Sequence, residues 1–177
     1  MPHAARLRAL PAALLALTLR SGIPLTGGML RMDAPNQDLG GSLDHRPGLG
    51  LAAQAPFQLS PDTYFRANLS YDAYGHPGDS DCNCTHAKTL GLGVDQMFPF
   101  GPGQQFYGFV GAYGQRWIIR RSADQSVPDL EATKLGFRYG LGWRYRRLWS
   151  FEAGQFTSQV DRGYRAGSLY LGTAFMF

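Results

Sequence analysis

From Thr133 to Arg146 the chain divides its side chains strictly by parity. The odd positions are Thr133, Leu135, Phe137, Tyr139, Leu141, Trp143 and Tyr145; the even ones are Lys134, Gly136, Arg138, Gly140, Gly142, Arg144 and Arg146. Successive side chains of a strand point to opposite faces, so this segment is one strand between two incompatible surroundings. The same division recurs. Phe65, Ala67, Leu69, Tyr71 and Ala73 share a face against Arg66, Asn68, Ser70 and Asp72. Leu90, Leu92, Val94 and Phe98 oppose Thr89, Gly91, Gly93, Asp95 and Met97. Trp149, Phe151 and Ala153 oppose Ser150, Glu152 and Gly154, and Leu169, Leu171, Thr173, Phe175 and Phe177 oppose Tyr170, Gly172, Ala174 and Met176.

Segments of this kind, separated by Gly, Pro, Asp, Asn and Ser clusters, predict eight strands. They lie near 27–35, 47–57, 63–74, 88–98, 106–119, 133–146, 149–159 and 168–177. Nothing after residue 26 keeps a helical period for long, and no apolar run reaches the roughly 18 residues of a spanning helix. A chain of 177 residues has room for one domain. Its formal net charge of +4 is mild and dispersed, and predicts no nucleic-acid partner.

Two all-β readings compete. A lipocalin-like soluble barrel, a small ligand-binding module, places large apolar groups inside. A membrane barrel turns them toward lipid around a polar lumen. Eight strands enclose a space that side chains just fill, too small for all the rings on the apolar faces. Glycine with a few long ionic side chains suits that space better. Arg138 or Arg144 in hydrocarbon would cost about 2–4 kcal/mol each near the midplane, whereas inside each can meet Asp95 or Glu152. The expected fold is therefore an all-β, eight-stranded, antiparallel, up-and-down transmembrane β-barrel.

Ring placement and link lengths agree with it. With an even strand number and both ends of the barrel in the periplasm, Phe57, Phe65, Phe98, Tyr107, Trp143, Tyr145, Trp149 and Phe177 fall at one end, and all eight are expected to point outward as an aromatic girdle. Links at 58–62, 99–105 and 147–148 are short, while those at 36–46, 75–87, 120–132 and 160–167 are longer and polar. Short periplasmic turns alternate with long extracellular loops in such barrels. Ahead of the barrel domain at 27–177, residues 1–26 read as an export signal and leader: His3, Arg6 and Arg8 precede an apolar stretch from Ala9 to Leu19.

The chain ends Tyr170-Leu-Gly-Thr-Ala-Phe-Met-Phe177. Tyr170, Gly172, Phe175 and Phe177 resemble the assembly signal of bacterial outer-membrane barrels. With the strand pattern, residues 27–177 resemble the small eight-stranded outer-membrane proteins of the OmpX, OmpW and OmpA-barrel type. The resemblance implies insertion by the barrel assembly machinery, a bacterial outer-membrane address, and lipid and lipopolysaccharide as surroundings.

Candidate functional residues fall into three groups. The expected lumen network is Arg66, Asp72, Asp95, Arg116, Lys134, Arg138, Arg144 and Glu152, with Arg31 and Asp33 beside it. It reads either as a structural filling or as a narrow polar path for small solutes, since buried charges need partners in both cases. Cys82 and Cys84 read as a disulfide in an oxidising compartment, or with His76 and His86 as a soft-metal site; the disulfide is the expectation, with no metal and no cofactor. Arg120, Arg121, Arg162 and Arg165 lie toward the outer loops, where they either contact lipopolysaccharide phosphates or form a solvated rim. Lipid A-modifying barrels of the PagL and PagP type are the enzymatic alternative. PagL-like enzymes carry a His-x-Ser pair that is missing here, and His76, Asp79 and Ser80 share only a polar loop. The expected role is a non-enzymatic envelope protein.

Overall fold

Alternation of this strength leaves β3, β4, β6, β7 and β8 one way to pair, because a one-residue slip would carry their outward rings into the lumen and their inward ions into the wall. The computed structural model describes residues 27–43, 46–60, 63–75, 85–120, 129–145 and 148–176. Its strands are β1 (Gly27–Asn36), β2 (Gly48–Ser60), β3 (Thr63–Tyr74), β4 (His86–Phe100), β5 (Phe106–Arg120), β6 (Leu130–Tyr145), β7 (Trp149–Asp161) and β8 (Tyr164–Met176). Each pairs antiparallel with the next, and β1 pairs with β8 from Gly27↔Met176 to Asn36↔Gly167, closing the barrel in chain order. Closure leaves no unpaired strand edge. The expected leader at 1–26, and with it Cys82, Cys84, Arg121 and Phe177, lie outside the described residues.

Two links differ from expectation. The segment 160–167 is a tight turn rather than a loop: β7 and β8 run on to Asp161↔Tyr164, and Gly163, at φ 78°, supplies the left-handed backbone the turn needs. The link after β1 holds a short helix, α1 (Gln37–Ser42), whose neighbour Leu43 is buried along with Leu39.

Outside, the wall is apolar. Leu30, Met32, Leu49, Leu92, Leu135, Phe137, Leu141 and Leu171 are all exposed. At about 25 cal/mol per Å² such a surface is costly in water and at home in hydrocarbon. This placement rules out the soluble alternative, which needs Leu135, Phe137 and Leu141 in a central core. At the end that carries both termini of the barrel, rings pair across strands: Phe57 with Phe65 at 5.5 Å, Phe100 with Phe106 at 6.0 Å, Trp143 with Phe151 at 5.8 Å and Trp149 with Phe175 at 4.9 Å; along β6, Trp143 also meets Tyr145 at 5.5 Å.

Tyr107 does not belong to this girdle. It points inward and is buried, and Phe106 takes the outward place. The reason lies in the register. Arg138 opposes Gly111 and Asp95 opposes Gly111, so the odd face of β5 shares the lumen with those ions. Tyr107, Phe109, Tyr113 and Trp117 follow it inside. The rings are therefore divided between wall and lumen rather than confined to the wall.

Candidate functional site in the barrel interior

The lumen is filled in three layers. Nearest the termini, Met29, Ala52, Met97, Tyr107, Phe109 and Ala174 form an apolar cluster with Tyr170. At the far end Leu39, Leu43, Tyr74, Trp117, Ile119, Phe156 and Val160 form a second. Ions lie between them.

Arg66 on β3 is the first anchor of the ionic layer. Its Nη2 lies 2.7 Å from Asp95 Oδ2, its Nε donates to the same oxygen at 3.1 Å, and Nη1 pairs with Glu152 Oε1. Arg138 on β6 is the second. Its Nη2 donates to Glu152 Oε2 at 2.7 Å, and its Nε to Tyr170 Oη at 2.6 Å. Tyr107 donates to Glu152 at 2.7 Å, Tyr113 to Asp95 at 2.8 Å, and Asn68 Nδ2 to Asp95 at 3.0 Å. The Arg138 guanidinium also lies 4.9 Å from the ring centroids of both Phe109 and Tyr170. Arg31 pairs with Asp72, joining β1 to β3. Charges taken out of water are tolerable only when paired and hydrogen-bonded, and these are. Arg31 Nε, Asp33 Oδ2 and Gln115 Oε1 make no hydrogen bond among the described residues; their side chains line a chamber of about 10 Å³, room for about one water molecule.

Glycines make this filling fit. Tyr107 stands directly across the strand pair from Gly142, and Tyr113 from Gly93. A Cβ on either glycine would collide with the ring opposite. The inward glycines are thus seats for tyrosines.

Of the expected lumen residues, Arg66, Asp72, Asp95, Arg138 and Glu152 meet in the interior, with Arg31 and Asp33 near them. Two do not. Arg116 is on the outward face of β5, exposed, and pairs with Glu131. Lys134 has inward parity but is exposed, because β6 pairs with β7 only from Gly136↔Ser158 and Lys134 lies beyond that point. Arg144 is half-buried at the terminus-end mouth, its guanidinium 5.2 Å from the Tyr107 ring centroid and, among the described residues, on no carboxylate. Asn68, Tyr107, Tyr113 and Tyr170 belong to the network and were not among its expected members. The glycines opposite the three tyrosines were the available signal. In the C-terminal octet, Tyr170 and Gly172 face the lumen side, while Phe175 meets Trp149 outside.

At the far rim, Arg120 pairs with Asp129 at 2.8 Å, and Arg162 and Arg165 are exposed. His86, the one described histidine, sits at an outward position of β4. Among the described residues no group of His, Cys, Asp or Glu could hold a metal ion.

An apolar wall, a ring girdle at one end and an interior that holds the buried ions define a small outer-membrane-type β-barrel. Solved structures with this fold include the N-terminal β-barrel domain of Pseudomonas aeruginosa OprF, with 17% identity and a TM-score of 0.58 over 86% of this chain and 98% of that one. Ail of Yersinia pestis is similar at 18% identity and a TM-score of 0.53, covering 87% of this chain and all (100%) of the other. Neisserial surface protein A is similar at 17% and 0.51, covering 86% and 95%. No family model and no curated protein matches the chain.

Proposed function

We propose that this protein is a non-enzymatic outer-membrane barrel whose lumen stays shut, and which serves the envelope through its wall and its outer loops. The observation that carries the reading is the filled interior: an ionic layer of Arg31, Arg66 and Arg138 with Asp72, Asp95 and Glu152, between two apolar clusters. This favours the structural role of the network over the solute path. The residues of the ionic layer are spent on one another, with no nucleophile and base arranged to react. In this reading the leader directs export, the barrel assembly machinery inserts the chain, and the barrel's termini face the periplasm. Planar-bilayer recording on the purified full chain tests it. No steady single-channel steps are expected, and reproducible steps would overturn the closed lumen.

Arg120, Arg121, Arg162 and Arg165 are assigned to lipopolysaccharide phosphates, since guanidinium groups pair well with phosphate. Ail has been solved with the heparin analogue sucrose octasulfate, itself polyanionic. Changing all four arginines to Gln is expected to reduce the lipopolysaccharide that copurifies with the barrel. Unchanged lipopolysaccharide would assign them to a solvated rim instead.

A further inference from the structure

The outward face of β7 breaks the pattern of the wall. From the girdle it runs Trp149, Phe151, Ala153, Gln155, Thr157 and Gln159, so hydrocarbon gives way to amide and hydroxyl halfway along the strand. Gln155 is the middle residue of β7, and its surroundings are those of the lipid-facing band. Tyr139 opposes it on β6, between Phe137 and Leu141, and Leu169 opposes it on β8, next to Leu171; all five are exposed. Gln96 of β4 also has outward parity, but Phe65 opposes it and Phe98 follows it, at the level of the girdle, where headgroups and water reach.

A glutamine amide carries two N–H donors and a carbonyl acceptor. The Tyr139 hydroxyl donates to Gln155 Oε1 at 2.7 Å, and among the described residues the Gln155 side chain makes no other hydrogen bond. Its Nε2 donors and the lone pairs of the Tyr139 oxygen are left over. Hydrocarbon offers them no partner, and a polar group left unpaired there is costly. The wall beside them is also hollowed. Around the small side chain of Ala153 lie two hollows of about 670 and 500 Å³, open to the lipid side. The first reaches Leu141 and Phe151, the second Met32, Ala34 and Leu169.

We propose that this face binds a second copy of the chain, about a twofold axis along the membrane normal that passes beside Gln155. Both copies are inserted the same way up, and a twofold axis in that direction sets a residue against itself at the same depth. The amides then answer each other: Gln155 Nε2 of each copy donates to the Gln155–Tyr139 pair of the other. The same rotation turns β6 of one copy toward β8 and β1 of the other. The ridge of Phe137 and Leu141 therefore meets the hollow at Ala34 and Leu169. An acyl chain would fill the hollows but leave the amide donors unpaired, whereas a second copy supplies ridge and acceptors from one surface. Small residues and polar side chains are the usual means of association within a bilayer. The interface leaves the lumen untouched, so it stands apart from the question of conductance.

Association is measured by Förster transfer between donor- and acceptor-labelled copies of the purified full-length barrel, mixed in phospholipid vesicles over a range of protein-to-lipid ratios. A reversible dimer is expected for the parent. Gln155→Leu is expected to move the midpoint to a protein-to-lipid ratio at least about fivefold higher, although it makes the wall more apolar, and Gln96→Leu is expected to leave it unchanged. Heat-modifiable gel mobility verifies folding of each variant, and Tyr139→Phe, with a shift in the same direction, decides if Gln155→Leu does not fold. A benzoylphenylalanine photocrosslinker placed at Leu169 is expected to join two differently tagged copies. Placed at Leu92 on β4, across the barrel, it is expected to join none. Transfer no greater than random mixing predicts, an unchanged midpoint in Gln155→Leu, or copies joined from Leu92 as readily as from Leu169 would each overturn the proposal. Leu169 adducts to lipid alone would overturn it too, and would assign the hollows to acyl chains.

Discussion

Gly142 and Tyr107 share one level of the lumen, and neither can be understood without the other. The ring lies flat over a position that has no side chain, and so reaches Glu152 with its hydroxyl. Introducing Val at 142 forces the ring aside in a packed interior, where overpacking costs about 1–3 kcal/mol. Gly142→Val is therefore expected to lower the temperature at which the barrel loses its compact, fast-migrating gel band. Gly108, on the same strand as Tyr107, faces the other way, and a Cβ there meets nothing closer than 3.9 Å. Gly108→Val is expected to leave that temperature almost unchanged. Equal effects of the two substitutions would argue that glycine matters here for backbone reasons and not for the space it leaves.

Between elements, the interior works as a cross-tie. Arg138 stands on β6 and reaches Glu152 on β7, Tyr170 on β8 and Tyr113 on β5. Removing one member of a buried ion pair leaves its partner uncompensated, at a cost of about 3–5 kcal/mol. Arg138→Met is expected to destabilise the barrel by about that much, measured by denaturant unfolding in detergent or lipid, and adding Glu152→Gln is expected to restore part of it. Lys134 has the same parity on the same strand but lies past the last β6–β7 pair, so Lys134→Met should fall within about 0.5 kcal/mol of the parent. A large loss at Lys134 would mean that the far end of β6 is tied into the interior.

At the scale of the whole molecule, wall and lumen divide the work. The wall gains stability from lipid contact without needing a core, since hydrocarbon surrounds it on every side. The lumen then has only to fill itself, and it does so with two apolar clusters on either side of the ionic layer. A solute crossing the barrel would have to part Arg66 and Arg138 from Asp95 and Glu152 and also displace Leu39 and Leu43. This is the physical ground for expecting no steady conductance.

Strand number, antiparallel order and the lipid-facing side of β3, β4, β6, β7 and β8 were legible in the residues themselves, because side-chain parity is a local property and these segments sort ions from hydrocarbon unambiguously. β5 did not sort itself. Tyr107, Phe109, Tyr113 and Trp117 would be acceptable in lipid or in the lumen, and only pairing with the arginine of β6 and the aspartate of β4 turned them inward. Arg116 and Lys134 were misplaced for the related reason that register and strand ends are set between strands and not within one. Leu39 and Leu43 were likewise beyond the pattern: they acquire a hydrophobic environment only once eight strands have closed around it.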